Sequence, residues 1–219
     1  MATDIRRSMQ IDPFVEDGIR IYNCGTVEFY PGMTVLLGCN GAGKTTLMRQ
    51  VEATVKVEND LPTYWYDIRD ADRRLGMDVQ LGRPGSDALA YLTSKFLSEG
   101  EQIRSHFEML AYRLGNFVFT SAKSGKGEAW IFFDSLDSGW SIDNCRDFVE
   151  FINDTVLASA PDGLTLYILM AVNSYEFAKV PEWRRLDVQT LGYLPEFESY
   201  EAYADYVMKT FETKKRIWA

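Results

Sequence analysis

Four short apolar runs punctuate the chain: Met33 to Leu37, Thr63 to Ile68, Ala129 to Asp134 and Leu164 to Val172. Each is bounded by turn-forming residues and has the length of a strand, so each predicts a buried strand. Between them the period changes. Ile103, Phe107, Leu110, Ala111 and Leu114 recur at helical spacing across Ser98 to Leu114. Cys145, Phe148, Val149, Ile152 and Val156 line one face of a further helix, with Ser141 or Asp143 placed to cap it. Thr46 to Ala53 reads as a third helix. Strand alternating with helix predicts an α/β sandwich.

The flanks follow other patterns. Ile5 to Ile11 and Gly18 to Tyr30 read as short strands broken at Asp12-Pro13 and Asn23-Cys24-Gly25. Residues 69–86 are polar and turn-rich, which predicts a surface excursion, and Ser121 to Gly127 reads as a loop. Leu186 to Phe197 predicts a hairpin. The helix that follows carries Tyr200, Tyr203, Val207, Met208 and Phe211 on one face. Lys214, Lys215 and Arg216 stand at its end, where cations suit the helix dipole; a nucleic-acid contact is the other reading of that cluster. No internal repeat or linker-like tract divides the sequence, so residues 1–219 are expected to form one domain, with an excursion over about residues 69–114.

Composition narrows the partners. The net charge of −9 argues against a broadly basic nucleic-acid surface. Cys24, Cys39 and Cys145 are far apart and odd in number, which suits free thiols in a reducing compartment. The opening residues lack an apolar secretory core, and the longest uncharged apolar stretch, Gly163 to Tyr175, is too short to span a bilayer. A cytoplasmic protein without a membrane span is expected.

One motif carries the chemistry. Gly38, Cys39, Asn40, Gly41, Ala42, Gly43, Lys44, Thr45 and Thr46 form a complete G-x-x-x-x-G-K-[ST] phosphate loop between a predicted strand and a predicted helix. Glycines let the backbone curl so that N–H groups face a triphosphate. Lys44 reaches the β- and γ-phosphates, Thr45 offers its hydroxyl to Mg²⁺, and the helix dipole points its positive end at the anion. Asp134, ending an apolar strand, is the expected second Mg²⁺ residue, directly or through water. ATP and Mg²⁺ are the implied ligands.

Leu97-Ser98-Glu99-Gly100-Glu101-Gln102 resembles the signature motif of ABC ATPases and lies in the required order between the phosphate loop and Asp134. Ser98 with Glu101 also fits a capping box, and both readings can hold together. Ser138 to Asp143 resembles the D-loop of the same family, and Val27 to Val35 is closer to SMC and RecF-type heads than to transporter subunits. The fold this implies is α/β, a P-loop NTPase sandwich of ABC-ATPase type with a small helical signature subdomain. The heptad run of an SMC arm is missing. The resemblance implies a homodimer that sandwiches ATP between the phosphate loop of one subunit and Ser98 and Gly100 of the other. Gln80 is the candidate for a glutamine loop touching Mg²⁺.

The departures from the family bear on catalysis. Ser135 stands where the family has a glutamate, and Asn173 where it has a switch histidine. Neither a serine hydroxyl nor an amide is a general base at neutral pH. Asp137 is a candidate substitute base, whereas His106, the sole histidine, falls within the predicted signature helix. The expected activity is weak ATP hydrolysis coupled to an unknown partner. The rivals are a non-hydrolysing ATP-dependent switch, an SMC-like head on DNA, and a phosphate-loop kinase, which would not need Ser98 to Gln102.

Overall fold

The computed structural model describes residues 6–16, 19–22, 25–57, 59–67, 99–136 and 140–218. The predicted strands assemble into one six-stranded sheet ordered β10-β9-β5-β8-β7-β6. Its members are β5 (Gly32–Leu37), β6 (Thr63–Asp67), β7 (Glu128–Asp134), β8 (Thr165–Ala171), β9 (Arg184–Asp187) and β10 (Gly192–Leu194). Neighbours from β9 through β6 run parallel, and β10 alone pairs antiparallel with β9 as the predicted hairpin.

The central strands are apolar on both sides because both faces of the sheet are covered. On one face Leu36, Trp130, Phe132, Tyr167 and Leu169 pack with Leu47, Met48, Val51 and Val55 of helix α1 (Lys44–Val57). On the other, Val35, Leu37, Ile131, Phe133, Ile168 and Met170 meet α2 (Glu99–Lys123) through Leu110 and Leu114 and α3 (Ile142–Glu150) through Cys145 and Phe148. Successive residues of each strand thus serve opposite cores, as the two-residue period requires. A Trp130–Tyr167 stack with ring centroids 4.4 Å apart fills the first core between β7 and β8.

Several sequence expectations shift in detail. The amino-terminal region gains one strand, β2 (Phe14–Glu16), just after the expected break at Asp12-Pro13: β1 (Arg7–Ile11) pairs with β4 (Gly25–Phe29), and β2 with β3 (Ile19–Tyr22), as two small antiparallel sheets. The loop expected from Ser121 begins three residues later. Ser121 is buried, and the Ser124 hydroxyl and N–H both bond to the Ser121 carbonyl, holding the last turn before Gly125 at φ +70° ends it. Beyond α3 the expected helix continues as a π-helix, Phe151–Leu157, which keeps Ile152 and Val156 in the core. Ser141 occupies the N-cap of α3, yet its hydroxyl accepts from the Asn144 side chain, not from a backbone N–H. A short α4 (Tyr175–Ala178) and the long α5 (Tyr200–Trp218) complete the fold. Among the described residues no helix is long and apolar enough to cross a membrane.

Candidate functional site

Parallel strands bring their carboxyl ends to one edge of the sheet, where ligands of such folds bind. The phosphate loop leaves β5 there, Asp134 ends β7, and Asn173 lies two residues past β8. Between them is a cavity of about 330 Å³ walled by Phe14, Asn40, Gly41, Gly43, Lys44, Thr45, Thr46, Asp134, Ser135, Ala171 and Asn173. Of the residues singled out in the sequence, the phosphate loop, Asp134, Ser135 and Asn173 therefore converge on one place.

Within the loop the labour divides. Gly38, Cys39 and Ala42 are absent from the cavity wall and support it from behind. Gly38 has φ +143°, and a Cβ there would lie 3.0 Å from the Ala42 Cβ. The Ala42 N–H donates to the Cys39 carbonyl at 3.1 Å, closing the turn, while the Cys39 N–H donates to the Thr210 hydroxyl at 3.0 Å. Gly43, at φ +93°, is pressed by aromatic rings, since a Cβ would lie 2.7 Å from Tyr22 Cε1 and 3.0 Å from Phe14 Cδ1. No other residue type fits there without moving both rings.

The two charged groups of the site, Lys44 and Asp134, are buried, and each is hydrogen-bonded to neutral partners. Lys44, 9% exposed, donates to the carbonyls of Gly38 (2.8 Å) and Cys39 (3.2 Å) and to Asn173 Oδ1 (3.0 Å). Asp134, 2% exposed, accepts from the Thr45 hydroxyl at 3.1 Å, and the Ser135 hydroxyl approaches the same oxygen at 3.4 Å. Ser135 holds φ +55°, a left-handed conformation that a non-glycine residue adopts at a cost of about 1 kcal/mol, placed where the strand turns into the site.

The Thr45 hydroxyl and the Asp134 carboxylate, joined by their hydrogen bond, are hard oxygen donors of the kind Mg²⁺ takes. No group of three or more His, Cys, Asp or Glu residues suited to a metal occurs among the described residues.

Ser98, Gln80 and Asp137 lie outside the described residues. Gly100 falls in the first turn of α2. Three features escaped the sequence reading. Phe14 supplies the apolar wall of the cavity. Asn173, expected only as a stand-in for a histidine, is bonded to the loop lysine. Lys214, read as a helix-end cation or a nucleic-acid contact, donates to the Asn40 carbonyl at 2.9 Å. Such contacts between distant residues have no local sequence signal. Asp67, register partner of Asp134 across β6 and β7, places a second carboxylate beside that strand end.

A family model described as an AAA domain matches residues 17–53, the stretch that carries the phosphate loop and the start of α1. Curated protein sequences give no match. Among solved structures, the chain is similar to the ADP conformation of an ATP-binding cassette of an ABC transporter. Identity is 11% and the TM-score 0.49, over 96% of this chain and 99% of that one. The mainly parallel sheet with the phosphate loop between β5 and α1 is the arrangement of a P-loop nucleotide-binding fold, and the AAA-domain match covers the stretch that carries that loop.

Proposed function

We propose that the protein is an ABC-type ATP-binding protein that holds ATP–Mg²⁺ at the β5–α1 loop and hydrolyses it slowly. The observation that carries this reading is the convergence of Lys44, Thr45 and Asp134 on one cavity, where the last two offer oxygen donors of the kind Mg²⁺ takes. Lys44 and the backbone of the cavity-lining residues Asn40, Gly41, Gly43, Thr45 and Thr46 hold phosphates, and Thr45 and Asp134 hold the metal. Bound Mg²⁺ would neutralise phosphate charge and orient the terminal phosphoryl group.

Slow turnover follows from what lines the cavity. Asp134 is the one carboxylate in the described wall, and it is committed to the metal. Ser135 and Asn173 contribute a hydroxyl and an amide, neither of which takes a proton from water near pH 7. Asp137 remains the candidate substitute base.

ATP then serves mainly as glue. A second copy of the chain would present Ser98 and Gly100 at the amino end of α2 to the terminal phosphate, where helix N–H groups suit an anion. The nucleotide state of such a homodimer would be read by a partner protein. Size-exclusion chromatography with and without ATP–Mg²⁺, alongside a phosphate-release assay, tests this. A dimer that forms with ATP–Mg²⁺ and turns over slowly is expected. A monomer under both conditions would refute the dimer, and rapid release of phosphate would refute the slow ATPase.

A further inference from the structure

The carboxy-terminal helix α5 touches the phosphate loop and its surroundings at three levels. Tyr203 donates its hydroxyl to the Asn173 carbonyl at 2.8 Å. Thr210 accepts from the Cys39 N–H at 3.0 Å, its own proton being given to the Val207 carbonyl at 2.7 Å, so the hydroxyl's acceptor side is turned to the loop. Lys214 donates to the Asn40 carbonyl at 2.9 Å. Residues 203, 210 and 214 are spaced by seven and four, which puts them on one helix face.

The Lys214 contact falls on the tip of the loop. Gly41, the next residue, has φ +72°, and a Cβ on it would collide with the Lys214 ammonium. The positive φ favours glycine at this position, and the missing Cβ leaves the space that the Lys214 ammonium occupies. In a trans peptide the carbonyl and the following N–H point in opposite directions. Drawing the Asn40 carbonyl onto Lys214 turns the Gly41 N–H the other way, and Asn40 and Gly41 both line the cavity. The ammonium also sets a positive charge behind the loop, where it favours an anion in front.

We propose that Lys214 is a positioning residue for phosphate binding: from α5 it fixes the Asn40–Gly41 peptide so that the Gly41 N–H faces the phosphates. This rests on the reading of the cavity as the ATP site. A helix far along the chain thereby becomes part of the nucleotide site.

The test measures ATP–Mg²⁺ affinity of wild type, Lys44→Ala, Lys214→Met, Lys214→Gln and Lys214→Arg, with melting temperatures taken without nucleotide. Lys214→Met and Lys214→Gln are expected to bind about tenfold more weakly, the scale of a lost charged hydrogen bond. Their melting temperatures should stay within about 2 °C of wild type. Lys214→Arg should restore affinity to within about threefold, because it keeps both donor and charge. Wild-type affinity in folded Lys214→Met or Lys214→Gln overturns the proposal, as does failure of arginine to rescue. If one neutral variant does not fold, the other decides. Binding by wild type that is lost in Lys44→Ala upholds the site reading independently of Lys214, whereas no binding by wild type overturns both.

Discussion

Lys44 Nζ donates to Asn173 Oδ1 across 3.0 Å, joining the phosphate loop after β5 to the segment after β8. An amide oxygen is a neutral acceptor, so it orients the ammonium without cancelling its charge. The ammonium keeps its full charge while its position is fixed from the next strand, and one of its three hydrogen bonds gives way when a phosphate oxygen is bound.

That pairing predicts a large effect for one substitution and a small one for another. Asn173→Asp would set a carboxylate on Lys44 and neutralise it, so ATP affinity should fall about tenfold or more. Asn173→Ala removes only the orienting acceptor and should stay within about threefold of wild type, because the Gly38 and Cys39 carbonyls still hold the ammonium. Equilibrium titration of both variants checks this. Equal affinity in Asn173→Asp and wild type would contradict it.

Hydrolysis is where a single side chain is expected to raise activity. A positioned general base contributes a factor of about 10²–10⁴. Ser135→Glu, beside Asp134, should therefore increase phosphate release at least about tenfold, at the same left-handed backbone position that serine already tolerates. Asp137→Asn should lower the residual wild-type rate if Asp137 acts as the substitute base. Steady-state phosphate release measures both. Brisk wild-type turnover unaffected by Asp137→Asn would overturn the argument from missing bases.

Much of this arrangement was legible in the sequence because it is local. The phosphate loop, its lead-in strand and its helix occupy one continuous stretch, and Asp134 ends a run whose apolar character on both faces marks it as central. The helix–strand alternation likewise sufficed for the α/β class, though not for the order of the strands in the sheet. What the sequence concealed was contact between remote residues. Lys214 and Asn40 are 174 positions apart, and Thr210 and Cys39 171. Nothing near Lys214 distinguishes a residue that braces a loop from one that suits a helix dipole. The π-helix after α3 was equally hidden, since Phe151 to Leu157 holds neither glycine nor proline and keeps the apolar spacing of an ordinary helix.

Alkaline pH should weaken the fold through buried tyrosines. Burial, the largest cause in each case, pushes Tyr22 and Tyr167 from the usual 10 up to about 12. The Asp12 charge adds to the effect at Tyr22 and the Glu128 charge at Tyr167. The folded chain thus keeps these protons to higher pH than the unfolded chain does. Their contribution to stability is fully present below pH 10 and is lost as pH rises from 10 to 12. Melting temperature followed across that range should decline steadily, and Tyr167→Phe should flatten the decline. A profile that is level from pH 10 to pH 12 would contradict this.

The central claim is that Lys44, Thr45 and Asp134 together hold ATP and Mg²⁺. Calorimetric titration of ATP tests it most directly, with Mg²⁺ and with EDTA, against wild type, Lys44→Ala and Asp134→Asn. The account predicts one site per chain in wild type, severe loss of binding in Lys44→Ala, and an affinity gain from Mg²⁺ that wild type shows and Asp134→Asn loses. Undiminished ATP binding by folded Lys44→Ala, or an equal Mg²⁺ gain in Asp134→Asn, would contradict it.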